Sequence, residues 1–274
     1  MSKIEFYTFM WLAPVLIGSL IVAFISVQKN FEKIMELNIS GGFWGAYETY
    51  EYYSNGTVFS KRKNSSISIP SFVLDELTSR MNLLLKACPD GLELKPEEGA
   101  ADYFIYNLTV YSKGRAINYY WTDVGEKPPK ELTYLYQLLR ETSGFPSNLR
   151  DIIFYLKTDR LTVNKGETLK IYAVAVNPIK KDFYYSSPTP CSPDFKIYLQ
   201  TPSGRRIELF PIGYDPGKVC VQVIQERVLK AGEAIRSEYE YKVDEEGIYV
   251  IEAHFPYAEW EETRHHCVLE IPVS

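Results

Sequence analysis

The chain is poor in the residues that carry most enzyme chemistry. It has three histidines, four cysteines and four methionines in 274 residues. No H-E-x-x-H or C-x2-C pair occurs, so the usual zinc spacings are missing. There is no G-x-S-x-G elbow, no P-loop and no dinucleotide fingerprint. The paired carboxylates Glu97-Glu98, Glu245-Glu246 and Glu261-Glu262 fall in turns and polar edges, where they read as solvated charge rather than as an acid/base pair. The sequence therefore predicts no enzyme, no catalytic residue and no cofactor. His265-His266-Cys267, with His254 nearby, is the one histidine-rich stretch. Adjacent strand residues point to opposite faces, so His265 and His266 diverge and no metal centre is expected. Net charge is −5 and the isoelectric point is near 5.4. No segment clusters Lys and Arg between aromatics, which excludes nucleic acid as a partner. Internal repeats and low-complexity tracts are absent.

What is present is an uncharged apolar run from Phe9 to Val27, FMWLAPVLIGSLIVAFISV. A bilayer core of about 30 Å takes about 20 helical residues to cross. The run exceeds the apolar core of a cleaved secretory signal, and Ala23-Phe24-Ile25-Ser26 offers no good pair of small residues for cleavage. The reading is an uncleaved transmembrane signal anchor over residues 1–28 with one bulky part beyond it. That part is expected outside the cytoplasm, in a single-pass cell-membrane protein. Four N-x-[S/T] sequons, at Asn38, Asn55, Asn64 and Asn107, and four cysteines all lie beyond the run. Glycosylation at those asparagines and at least one disulfide follow as expectations.

Beyond the anchor, 46% hydrophobic residues can furnish a packed core, and the length suggests two domains. Over residues 37–146 strand alternation surrounds two helical stretches. Tyr47, Thr49, Glu51 and Tyr53 alternate, Ser54-Asn55-Gly56-Thr57 makes a hairpin turn, and Val58-Phe59 return. Pro70 suits the first position of a helix, with Ser68 as its cap. Val73, Leu77, Met81, Leu84 and Leu85 recur on one helical face. Asp102 to Tyr111 alternates again, and Ala116 to Trp121 returns after a turn. A second helix carries Leu132, Leu135, Tyr136 and Leu139 and stops at Gly144-Phe145-Pro146. The predicted fold is an α+β domain in the order ββαββα, an antiparallel sheet with two helices.

The opening Gly41-Gly42-Phe43-Trp44-Gly45, the strand Asp102 through Val110 and the closing helix from Pro129 to Arg140 resemble emfourin. That family consists of small inhibitors of thermolysin-like metalloproteases. The resemblance implies inhibition through exposed loops. It transfers no inhibitory residue, because Gly41 and Gly42 are explained by backbone geometry alone.

Residues 150–274 change to short strands with turns between them, which predicts an all-β immunoglobulin-like sandwich of seven or eight strands. Gly247 and Tyr249 suit the corner at which a tyrosine hydroxyl tucks against the backbone. Asn177-Pro178, Phe183, Asp194-Phe195 and Gly204 look similar to the intracellular proteinase inhibitor family of β-sandwiches, from which the cysteines depart. The loop Ser187-Pro188-Thr189-Pro190, followed by Cys191, is stiffened by its prolines. Little entropy is lost when such a loop binds, which makes it the candidate partner-binding loop. Four cysteines allow three pairings. A Cys191–Cys220 bond would anchor the loop and leave Cys88 to pair with Cys267 across the domains.

Two functions stay open at this point. One is a membrane-anchored extracytoplasmic protein that binds and inhibits a protease. The other is a non-catalytic cell-envelope interaction or assembly module. Either way the partners are a membrane and a protein.

Overall fold

The computed structural model describes residues 31–43, 45–144, 152–258 and 265–274. The apolar run Phe9–Val27 lies outside the described residues. Among those described, no helix is long and apolar enough to cross a membrane.

Strands dominate. Among the described residues, four precede the first helix: β1 (Lys33–Gly41), β2 (Ala46–Tyr53), β3 (Thr57–Ser60) and β4 (Ser65–Ser68). Helix α1 (Ser71–Ala87) is followed by β5 (Leu92–Glu93), β6 (Phe104–Ser112) and β7 (Arg115–Thr122), and then by helix α2 (Lys130–Ser143). The order is ββββαβββα, not ββαββα. The sheet is mixed rather than antiparallel, because β5 runs parallel to β7. Sixteen described strands against two described helices make the chain mostly β, which corrects the fold expected from sequence.

The seven strands lie in the order β4-β3-β2-β1-β6-β7-β5. β1 sits mid-sheet, between β2 and β6. β1 begins at Lys33, a few residues before the residue 37 at which the first domain was expected to open. Met35, Leu37 and Ile39 alternate inward from β1 and are buried, as are Tyr106, Leu108 and Val110 of β6. They pack against Val73, Leu77 and Leu84 of α1 and Leu132, Leu135 and Leu139 of α2. Burying one such side chain contributes about 1.5–3 kcal/mol. Pro70 occupies the cap position of α1 without a side-chain cap bond, and Ser68 ends β4 instead. Gly144 ends α2 in the left-handed conformation, φ 74°.

The remaining nine described strands form the sandwich: β8 (Ile153–Thr158), β9 (Thr168–Val176), β10 (Phe183–Ser187), β11 (Lys196–Gln200), β12 (Arg206–Leu209), β13 (Gln225–Leu229), β14 (Ala234–Lys242), β15 (Gly247–Phe255) and β16 (His265–Val273). One sheet has the order β14-β9-β8, the other β12-β11-β15-β16, and β10 pairs with β13. In immunoglobulin lettering these are E-B-A and C′-C-F-G, an immunoglobulin-like arrangement. The Tyr249 hydroxyl accepts from the backbone N–H of Glu245 at 2.9 Å and donates to Asp244 Oδ1 at 3.0 Å, which fixes the corner into β15. Phe154, Phe195 and Phe255 pack ring on ring at the centre of the sandwich.

The two parts share a core. Ile153, Tyr155, Val174 and Val176 face out of the sandwich and join the core of the seven-stranded sheet. The helices thus lie between that sheet and the β14-β9-β8 sheet. Arg80 of α1 is fully buried at this junction. Its Nε donates to Glu76 Oε1 at 2.8 Å, Nη1 to the Tyr134 carbonyl at 2.7 Å, and Nη2 to the Leu156 carbonyl of β8 at 2.7 Å. Gln137 of α2 donates from Nε2 to the Val268 carbonyl of β16 at 2.9 Å. β8 and β16 are edge strands, and edge carbonyls need partners when buried. Burial opposes the charge on Glu76, but Arg80 and Lys157 outweigh it and hold its carboxyl below the ordinary value.

On the opposite face of the seven-stranded sheet, Lys33 and Lys61 each approach Glu51 Oε1 at 3.2 Å. Burial works against the Glu51 charge, yet hydrogen bonds from Tyr53, Lys61 and Lys33 lower its pKa from 4.5 to about 2. A depressed carboxylate pKa adds stability that is present above the unfolded value and lost as pH falls through the folded one. Stability should therefore drop between pH 4.5 and about 2, and Glu51→Gln should flatten that limb. Denaturant midpoints measured across this range test it. An unchanged slope in the variant would remove Glu51 from the account.

Candidate functional site

Cys191 and Cys220 are joined by a disulfide, 29 residues apart in sequence. Cys88 and Cys267 are free thiols. The expected pairing across the domains fails because the two side chains belong to different cores. Cys88 caps α1 and packs on the first core, whereas Cys267 points into the sandwich. Burial pushes the Cys267 thiol up to about 12.

The proline loop turns out to be a brace. Ser187 is buried and its hydroxyl donates to the Thr189 carbonyl at 2.8 Å. The Thr189 hydroxyl accepts from the N–H groups of Cys191 and Ser192. Arg227 of β13 donates to the Pro190 and Ser192 carbonyls and, from Nη1, to Asp194 Oδ1 at 2.7 Å. Tyr185 donates to the same Asp194 oxygen at 2.7 Å. Burial, with Asp194 beside it, pushes the Tyr185 phenol up, so it remains a donor. Of the four residues predicted to bind a partner, only Pro190 is exposed, with Pro188 and Thr189 half-buried.

The exposed segment lies across the disulfide. Residues 219–224 adopt no helix, strand or turn. Val219 is 96% exposed, and Val221, Val223 and Ile224 are each at least 60% exposed. Ahead of them, Asp215 closes a turn by accepting from the Gly217 N–H at 2.9 Å. Sequence reasoning passed over these residues. The signal was there, since V-C-V-Q-V-I alternates like a strand, yet no strand pairs with it among the described residues.

In the first domain, Gly41 and Gly42 have φ of 99° and 69°. A Cβ on Gly41 would lie 2.3 Å from the Tyr103 carbonyl oxygen, so this backbone approach requires glycine. Phe43 stands 80% exposed on the turn they make. The sequons fall into two classes. Asn55 and Asn64 are exposed in turns. Asn38 and Asn107 are half-buried and face each other across β1 and β6, with Asn38 Oδ1 accepting from Thr49 at 2.7 Å.

A further constellation appears on the outer face of the β12-β11-β15-β16 sheet. His254 and His266 are cross-strand partners, and Glu252 sits two residues before His254 on the same face. His254 Nε2 lies 2.9 Å from Glu252 Oε1, and His266 Nε2 lies 3.5 Å from the same oxygen. The other carboxylate oxygen accepts from Arg206 at 3.0 Å. Burial opposes the charge on Glu252, while His254, Arg206 and His266 lower its pKa. His265 does diverge, lying against the Phe255 ring. Alternation along one strand separates His265 from His266, but only the pairing of β15 with β16 sets His266 beside His254.

No family model matches the chain, and no curated protein matches it. Among solved structures, a β-glucosidase from Listeria innocua is 18% identical over 44% of this chain and 16% of its own, with a TM-score of 0.26. The β-glucosidase EmGH1 from Erythrobacter marinus is 11% identical over 45% and 15%, with a TM-score of 0.27. A CARDB domain from Pyrococcus furiosus is 12% identical over 45% of this chain and 92% of its own, with a TM-score of 0.26. The chain spans only 15–16% of the length of these β-glucosidases. Similarity this low carries no argument about function.

Replacing both Cys191 and Cys220 with serine should cost about 3–4 kcal/mol, the chain-entropy value for a closed loop of this length. Denaturant unfolding of the oxidised protein and the double variant measures it. A loss below about 1 kcal/mol would mean that the Arg227 clamp alone holds the loop.

Proposed function

We propose that this is a non-catalytic protein, held at a membrane by its apolar N-terminal run, that binds a protease outside the cytoplasm and blocks its cleft with residues 219–224. The observation that carries the reading is the pairing of a solvent-exposed, apolar segment with a rigid mount. Cys220 inside the segment is tied to Cys191, and the Cys191 loop is clamped by Arg227. Protease clefts take up unpaired backbone and read its side chains. A mount fixed in advance lowers the ordering cost of binding. Apolar side chains held in solvent are free to bury against a partner. The resemblance of the first domain to emfourin supports the same class of target. The Phe43 turn offers a second exposed element for it.

The alternative is an envelope assembly module, and one observation favours it. Tyr184 of β10 and Val228 of β13 are adjacent and both exposed, continuing the apolar surface onto a sheet. Such a surface suits a flat partner better than a cleft.

Titrating the full chain, disulfide intact, against a thermolysin-like metalloprotease and a serine protease separates the two. Stoichiometric inhibition that is weakened at least tenfold, about 1.4 kcal/mol, by Val221→Asp supports the protease reading. A folded protein that slows neither enzyme leaves the assembly reading.

A further inference from the structure

We infer that Glu252, His254 and His266 form a binding site for a divalent transition ion of the zinc class. The argument begins with strand geometry. Residues two apart on a strand share a face, and directly opposed residues on antiparallel neighbours bring their side chains within reach. Glu252 and His254 satisfy the first condition on β15. His254 and His266 satisfy the second across β15 and β16. The result is two imidazole nitrogens aimed at one carboxylate oxygen, with all three ligand atoms within 4.8 Å of one another.

The distances suit an ion. Zinc bonds to nitrogen and oxygen are about 2.0–2.2 Å long, so neighbouring ligand atoms around a tetrahedral ion stand roughly 3.3 Å apart. The two nitrogen–oxygen separations here, 2.9 and 3.5 Å, bracket that value. The three ligand atoms as a set spread up to 4.8 Å, so an ion would draw the two histidine nitrogens together by side-chain rotation. The rings stack with centroids 4.8 Å apart and planes 27° from parallel. Arg206 takes the second Glu252 oxygen at 3.0 Å, which turns the first toward the histidines. An outer partner of this kind is what orients a ligating carboxylate.

The donor set selects the ion. Two nitrogens and one oxygen suit zinc, nickel or copper, while calcium and magnesium want more oxygens. Three protein ligands leave one position for water or for a donor from a partner. The site stands on the sandwich, apart from the segment assigned to protease binding, and does not depend on that assignment.

The test is calorimetric titration of zinc chloride into the full chain in a Cys88→Ser background, which removes the half-buried thiol as a competing ligand. The chain has three histidines, all in this region, so background binding to imidazole is confined to them. One equivalent of zinc is expected to bind. His254→Ala, His266→Ala and Glu252→Gln should each weaken it at least tenfold, and His265→Ala should leave it unchanged. His266 is exposed, so its replacement reads binding without threatening the fold. Cobalt in place of zinc should give the visible absorption of a four-coordinate ion. Absence of binding, full retention in any of the three ligand variants, or equal loss in His265→Ala would overturn the proposal.

Discussion

The buried guanidinium of Arg80 is the interaction on which the rest of the structure depends. A fully buried charge is tolerated only when its donors are used, and here they reach three separate elements. Glu76 neutralises it within α1, the Tyr134 carbonyl ties it to α2, and the Leu156 carbonyl ties it to the edge of the sandwich. Its face also lies 3.6 Å from the centre of the Tyr134 ring, a cation–π contact. An apolar residue could fill the space but could not satisfy the edge carbonyl. Gln137 does the same for the other edge at Val268. The helix pair therefore serves as a cover for two open sheet edges as well as the lid of its own sheet. Two domains that read as separate in sequence become one body.

That body bears on function through rigidity. The exposed apolar segment is held by a disulfide, and the disulfide by a clamp that ends on β13. β13 pairs with β10, and β10 contributes Phe183 and Tyr185 to the sandwich core. Each step is a buried or hydrogen-bonded connection, so the segment is presented by the core rather than by a free loop. The histidine cluster is mounted likewise, on two strands whose opposite faces, at Ala253 and Cys267, are completely buried.

Much of the local structure was legible in the sequence. Alternation placed β6 and β7, the Asn55-Gly56 turn placed the β2–β3 hairpin, and the leucine spacing placed both helices. Gly247 and Tyr249 marked a corner that the hydroxyl contacts bear out. What was not legible is non-local. β1 was missed although Met35, Leu37 and Ile39 alternate, because it follows the apolar run closely. Its central place depends on β6, about seventy residues later. β5 has two residues and is defined only by its parallel partner. Nothing in the spacing around Arg80 marks it as buried, since the carbonyls that accept from it on other elements lie 54 and 76 residues away. Exposure on the two sides of the disulfide was also not legible. Prolines signal stiffness but not exposure: Ser187 is buried, whereas Val219, Val221, Val223 and Ile224 across the disulfide face solvent.

Calorimetric unfolding of the full chain alongside its Arg80→Leu variant tests the central claim most directly. Breaking a buried pair by removing one partner costs about 3–5 kcal/mol. A body joined through Arg80 should melt in one two-state transition, with calorimetric and van't Hoff enthalpies equal. The variant should melt earlier and in two steps, as the sandwich and the helix-covered sheet separate. Two transitions in the unaltered protein, or a variant that melts as one unit at the same temperature, would contradict the account.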